Sequence, residues 1–325
     1  MTTPLSRRRF TTAALALGLA GGALAQQDYP SRPIRIIVPV PPGGAADTLA
    51  RVLADRLSTR WGQTVIVENR AGAGGNIGAE LVHKAPGDGH TLLLSPPGPL
   101  SINKLLYRNI GYDSDTFVPV SIVAANPNVL LVHPKVPART LQELIAYARA
   151  NPNKLNYASS GAGSTTHLAG ELLKSMAKVD IVHIPYKGGP PAFSDLLAGQ
   201  VEIMFQGLAT ALPQIQEGKL RVLAVGSEKR HPALPDVPAI GEILPGFVTT
   251  SWTGLVAAPR TPPAIAARIA AAVSEVFSNA DTARQVKGLD ARDLVLSSPV
   301  EAGRFMREER ERWGAVIRAT GTTVD

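Results

Sequence analysis

Not one cysteine occurs in the 325 residues, so the chain holds neither disulfides nor the lipid-acceptor cysteine of a bacterial lipoprotein. It also lacks a dense Lys/Arg stripe with interleaved aromatics, and its net charge of +7 is therefore no nucleic-acid footprint. The six histidines show no metal spacing such as H-E-x-x-H, and no paired carboxylates stand out. No internal repeat and no low-complexity tract is visible. The apolar run near the N-terminus is too short for a spanning helix. What remains is 45% apolar and 18% charged, the balance of a soluble globular protein long enough for two domains.

The N-terminus reads as an export signal. Ser6-Arg7-Arg8-Arg9-Phe10 is a twin-arginine pattern, followed by the apolar run Ala13 to Ala20 and by Ala23-Leu24-Ala25. These regions in order predict a signal peptide over residues 1–25, cleaved near Ala25, which places the mature chain in the periplasm. Removing Arg7, Arg8 and Arg9 takes the net charge from +7 to +4, a modest surplus that favours anionic ligands.

Past the leader, strand and helix patterns alternate. Ile34 to Val38, Val65 to Glu68 and Thr91 to Ser95 read as buried strands separated by helices, one with Leu49, Val52, Leu53 and Leu57 on a single stripe ending at Gly62. This βαβαβ series predicts a parallel sheet covered by helices. A second series starts at Val129, with a helix capped by Thr140 and Glu143. A strand near Thr253 to Ala258 and helices Pro263 to Phe277 and Val300 to Thr320 return at the end. The pattern predicts α/β lobes, each a mostly parallel sheet flanked by helices. The first comprises residues 26–124 and 227–325, the second residues 125–226, with crossings near Ala124–Asn128 and Gly226–Arg230.

Two strand–loop–helix junctions carry most of the chemistry: Pro41-Pro42-Gly43-Gly44-Ala45-Ala46-Asp47 and Ser159-Ser160-Gly161-Ala162-Gly163-Ser164-Thr165. Glycine at the start of a helix lets backbone N–H groups point at a ligand, and the helix dipole there favours negative charge. Two such junctions in separate lobes predict a cleft that grips one small anion from both sides.

Nucleotide and hydrolase readings fail at specific positions. Ile77 stands where the dinucleotide fingerprint needs its third glycine, and no G-x-x-x-x-G-K-[ST] occurs. Gly161-Ala162-Gly163-Ser164 is not the G-x-S-x-G elbow that would activate Ser160 or Ser164, and no catalytic residue is assigned. Asp47 reads either as a cap and dipole partner or as a group meeting a ligand ammonium or a bridging water. His167 reads as a cap or local hydrogen-bonding group more readily than as a base. Gly188-Gly189-Pro190-Pro191 reads equally as the first turn of a helix and as a ligand contact.

The motifs Tyr29-Pro30-Ser31-Arg32-Pro33-Ile34, Val38-Pro39-Val40-Pro41-Pro42-Gly43-Gly44 with Asp47, and Glu68-Asn69-Arg70-Ala71-Gly72-Ala73-Gly74-Gly75-Asn76-Ile77-Gly78 occur in series. Leu155 to Ser164 with His167-Leu168, Pro185-Tyr186-Lys187-Gly188, Gly199-Gln200-Val201 and Leu234-Pro235-Asp236-Val237-Pro238 follow. Together they resemble the Bug family, the periplasmic receptors of tripartite tricarboxylate transporters. The resemblance implies a two-lobed, type II periplasmic-binding-protein (Venus flytrap) fold that closes around a small organic carboxylate and hands it to membrane components of a transporter. It implies a monomer with no cofactor, no metal, no nucleic-acid partner and no stable membrane insertion. A receptor for a membrane sensor kinase is the alternative within that fold; a serine hydrolase is the alternative outside it.

In that family main-chain groups, hydroxyls and waters hold the carboxylate. The corresponding positions here are Gly43 and Gly44 on one lobe and Ser160, Gly161, Gly163, Ser164 and Thr165 on the other, with Pro42, Asp47 and His167 beside them as further candidates for ligand contact. Two departures add candidates. Ser95-Pro96-Pro97-Gly98-Pro99 replaces a small Gly/Thr-rich loop, which brings in Ser95 and Gly98. Gln206 follows Phe205 where Asp is common, and an amide tolerates a further ligand carboxylate or amide better than Asp does.

Overall fold

The computed structural model describes residues 29–290 and 293–324; the leader expected over residues 1–25 lies outside them. Strand β1 (Ile34–Val38) is almost wholly buried and feeds helix α1 (Ala45–Trp61). Leu49, Val52, Leu53 and Leu57 form the inward stripe of α1, and Gly62 ends it in the left-handed region at φ 62°. Strands β2 (Val65–Asn69) and β3 (Thr91–Ser95) flank β1 in parallel, with α2 (Asn76–His83) between them in sequence. This is the expected βαβαβ unit.

Short helix α3 (Asn103–Leu106) leads to β4 (Val118–Val132), and the strand expected from Val129 is only its second half. The first half pairs antiparallel with β9 (Thr250–Ala257) and β10 (Asp293–Leu294), the second with β7 (Ile203–Gly207) and β8 (Arg221–Val225). One strand thus serves both sheets and passes between them at Asn126–Asn128. Pro119 and Pro127 conceal it in the sequence, because proline cannot donate to a ladder and reads as loop.

In the second sheet β5 (Asn156–Ser159) lies parallel between β6 (Val182–Pro185) and β7. Helices α4 (Leu141–Ala150), α5 (Thr165–Ala177), α6 (Gly189–Leu197) and α7 (Leu208–Gln216) connect these strands. Thr140 caps α4 as expected, its hydroxyl accepting from the Glu143 N–H at 3.1 Å. The Glu143 carboxylate, however, accepts from the N–H of Arg139 and not from that of Thr140. Strands of each sheet mostly share one direction; the exceptions are β9 and β10 in the first and β4 in the second. Separate cores form on the two sheets, one around Ile34, Leu53 and Leu255, the other around Leu130, Tyr157 and Phe205.

The return crossing differs from its expected place at Gly226–Arg230. Val237, Ala239, Ile240 and Phe247 all pack into second-lobe cores, and Val225 bridges to Ala239. Their apolar surface finds burial only there, so the second lobe extends well past residue 226. The chain reaches the first sheet at Thr249–Thr250. There the Gly226 N–H donates to Asn128 O at 2.7 Å and the Asn128 N–H to Thr249 O at 3.3 Å, tying the two crossings into one node.

Helices α8 (Pro263–Ser278), α9 (Ala280–Asp290) and α10 (Pro299–Thr320) complete the chain, and α9 was not anticipated. Helix α10 spans the lobes: Trp313 and Ile317 pack with Ile102 and Leu106 of the first and with Leu168 of the second. Buried Glu309 of α10 accepts from Trp252 Nε1 at 2.8 Å and from Trp313 Nε1 at 3.2 Å, and pairs with Arg312. Among the described residues, no helix is long and apolar enough to cross a membrane.

Candidate functional site

The first loop follows β1, at the carboxyl end of a parallel strand, where ligands bind in open α/β sheets. Gly43 sits at φ +85°, a left-handed turn that aims its N–H inward. That N–H donates to Asp47 Oδ2 at 3.0 Å. The same carboxylate accepts from Arg51 Nε at 3.0 Å and from Asn69 Nδ2 at 2.9 Å. Burial acts to raise the Asp47 carboxyl, but the bonds from Arg51, Gly43 and Asn69 outweigh it and leave it below the ordinary carboxylate range. Asp47 is therefore an internal tie that shapes the loop, the cap-like alternative of the sequence. Pro42 and Gly43 are exposed, while Gly44 is half-buried at the N-terminus of α1 and caps it with no side chain.

The second loop follows β5 and is more closely tied. Ser164 caps α5 by accepting from the His167 N–H at 3.2 Å and donates its hydroxyl to Gly161 O at 2.7 Å. Gly161 and Gly163, at φ +128° and +79°, send their N–H groups to Ser159 Oγ (3.2 Å) and His167 Nδ1 (3.0 Å). The Ser160 N–H and hydroxyl both meet Thr166 Oγ1, at 3.0 and 3.1 Å. Thr165 and His167 are buried, whereas Ser160, Gly161, Ala162 and Ser164 keep partial exposure.

The third wall departs from a loop altogether. After β3 the chain turns directly into a helical turn, so Gly98 is buried beside Asn103. Ser95 is fully buried and donates to Pro96 O at 2.9 Å. Because residues 96, 97 and 99 are prolines, Gly98 carries the one N–H of that stretch. On β7, Gln206 is half-buried and its Oε1 accepts from the Gly207 N–H at 3.0 Å. Its amide nitrogen faces Gly189, 3.9 Å from where a Cβ on that residue would sit.

Two of these walls approach the opposite lobe closely. A Cβ on Gly188, at the start of α6, would lie 4.0 Å from Pro41 Cγ across the lobes. A Cβ on Gly163 would lie 3.0 Å from Leu106 Cδ1 and 3.7 Å from Asn103 Oδ1, again across the lobes. The first loop thus meets the start of α6, and the second loop meets α3, each across the lobes. The structure adds the N-terminus of α6, at Gly188, as a further positive dipole end beside the first loop.

Sequence reasoning missed the groups that set these loops. Arg51, Asn69, Thr166, Asn103, Ser159 and His183 act on them through side chains scattered along the chain, and only the i to i+4 spacing of Asp47 and Arg51 was a readable signal. Two clefts are outlined in the structure. One, about 550 Å³, is lined from Lys104 to Asp113; the other, about 700 Å³, lies between Ser227–Pro232 and the Phe305–Arg312 part of α10. Among the described residues, no cluster of metal-ligating side chains is present.

A family model described as a tripartite tricarboxylate transporter family receptor matches residues 49–322. Protein BugT of Bordetella pertussis is 38% identical, over 90% of this chain and 90% of its own length. The R. palustris protein Rpa4515, solved with adipate, is 37% identical with a TM-score of 0.83, covering 91% of this chain and 99% of that one. MatC from Rhodopseudomonas palustris, with bound malate, is 33% identical with a TM-score of 0.81, covering 89% of this chain and 100% of that one. A chain so matched over nearly its whole described length belongs to the tripartite tricarboxylate transporter receptors, the Bug proteins, and has their type II periplasmic binding-protein fold.

Proposed function

We propose that the chain is a periplasmic receptor that closes around a small organic carboxylate and delivers it to the membrane components of a tripartite transporter. The observation that supports this reading is that the glycine-led start of α6 at Gly188 lies against Pro41, in the loop that leads to the N-terminus of α1 at Gly44 on the other lobe. Relatives solved with adipate and malate support a carboxylate ligand. With Asp47 saturated by three donors, its charge is compensated and does not oppose an anion.

Energetics favour closure. Micromolar affinity needs about 8 kcal/mol net. Each helix terminus supplies about 0.3–1 kcal/mol, up to about 2 when partly buried, and each charge-assisted hydrogen bond about 1.5–3. One lobe alone hardly exceeds an association cost of at least about 4 kcal/mol. Binding by both lobes, moving about the crossings at Asn126–Asn128 and Thr249–Thr250, meets the requirement.

The hydroxyls present argue for a receptor and against a hydrolase. Ser160 meets Thr166, and Ser164 is spent in capping α5. Ser159 does lie 2.6 Å from His183 Nε2, but it is fully buried, and burial together with the adjoining His167 pushes His183 down to about 4, too weak a base.

Gly44→Val tests the site. Gly44 has φ −82° and ψ 169°, extended backbone that valine adopts without strain. A Cβ there meets nothing nearer than Pro41 O at 3.9 Å. The variant is expected to match the parent in thermal stability without ligand, and to lose the stabilisation that a carboxylate panel gives the parent. Equal ligand-induced shifts in both proteins would place the site elsewhere.

A further inference from the structure

Beneath the second loop lies a stack of three rings that binding of an anion does not by itself require. The His167 and His183 rings are 4.1 Å apart at 18°, and Tyr157 stacks on the other face of His183 at 4.8 Å and 22°. The Tyr157 hydroxyl donates to Glu171 Oε1 at 2.7 Å, and Lys174 pairs with the same carboxylate at 2.9 Å. Each imidazole ends at one of the loop's two left-handed glycines. His167 Nδ1 accepts the Gly163 N–H directly, at 3.0 Å. His183 Nε2 lies 2.6 Å from Ser159 Oγ, and that hydroxyl accepts the Gly161 N–H at 3.2 Å.

The donor directions determine the chemistry. A backbone N–H can only donate, so His167 Nδ1 presents a lone pair and its ring is neutral. The Ser159 hydroxyl, having accepted from Gly161, has its proton free for His183 Nε2. Burial keeps both imidazoles below their ordinary range, consistent with neutral rings. Without these acceptors, the N–H groups of Gly161 and Gly163 would be unpaired.

We propose that Ser159, His167 and His183 are positioning residues, which hold the Gly161 and Gly163 N–H groups inward so that the remaining donors at the start of α5 face the ligand. This rests on the carboxylate-receptor reading above. The loop is then formed before ligand arrives, and its ordering is no cost of binding. His167, expected among the ligand contacts, acts through the loop and does not touch ligand.

The test uses the mature chain with two readouts: amide exchange of Gly161 and Gly163 by NMR without ligand, and adipate affinity by calorimetry. His167→Leu is expected to speed Gly163 exchange and weaken adipate binding, each about tenfold or more, the equivalent of one buried hydrogen bond. His167→Asn, whose side-chain oxygen takes the place of Nδ1, is expected to restore both to within about threefold. Ser159→Ala, a small change that keeps the fold, is expected to release Gly161 while leaving Gly163 protected. Unchanged Gly163 exchange in His167→Leu, or failure of His167→Asn to rescue, overturns the proposal. If the unaltered chain ignores adipate and the rest of the carboxylate panel, the receptor reading fails, and the exchange arm still decides whether the histidines hold the loop.

Discussion

His183 links the site to stability through pH. Burial, reinforced by the adjoining His167, lowers its pKa to about 4 from an ordinary 6.5. The unfolded chain takes up that proton as pH falls through the ordinary value, whereas the folded chain resists until about 4. The stability contributed by keeping the ring neutral is therefore fully present above the unfolded value and is lost as pH falls towards the folded one. Between about pH 7 and about pH 5 this linkage amounts to about 2 kcal/mol. Ordinary carboxylates remain largely ionised across that window, so histidines dominate it. His167 is lowered in the same direction and persists in a single variant. His183→Gln keeps a side-chain acceptor for Ser159 but cannot titrate. Urea denaturation at both pH values is expected to show the parent losing about 2 kcal/mol more than His183→Gln on acidification. Parallel losses in the two proteins would refute the claim that a neutral, half-buried His183 lies beneath the folded loop.

Three further outcomes are expected. Glu309→Leu strands the indole N–H groups of Trp252 and Trp313 and the Arg312 guanidinium, and should cost about 3–5 kcal/mol in urea denaturation; a loss below about 1 would contradict the role of that carboxylate. A Cβ on Gly226 would meet Thr249 Cγ2 at 2.4 Å and Asn128 O at 2.9 Å, so Gly226→Ala should strain the node between the crossings. Its expected cost is about 1–3 kcal/mol by thermal denaturation, and a neutral effect would mean the node relaxes freely. Gln206→Glu should weaken adipate binding at least about tenfold by placing a like charge in the cleft, while Gln206→Leu should cost less. Calorimetry that ranks the two variants the other way would remove Gln206 from the ligand's surroundings.

Much of the fold was legible because local patterns encode it. The stripe of α1 with its Gly62 stop, the Thr140 cap and the short apolar strands each rest on neighbours within a few residues. Strand β4 was legible only in its second half, since Pro119, Asn126 and Pro127 break the pattern that its neighbours in both sheets restore. The return crossing was misplaced for a related reason: residues 227–249 show no strong period, and only packing assigns them to the second lobe. Within the site, the glycine loops were readable as backbone features. The side chains that hold them were not, because His183 meets Ser159 across 24 residues and Asn69 meets Asp47 across 22.

The sequence by itself determined that two glycine-led helix starts exist, one in each α/β series. Their left-handed turns need glycine wherever the chain goes afterwards, so composition alone announces them. Only the tertiary structure decided which donors those loops withhold. Gly43 is given to Asp47, Gly161 to Ser159 and Gly163 to His167, so the donors left for a ligand are those the fold does not consume. A hydrogen bond between distant side chains depends on packing that brings them together, and no local spacing carries that information.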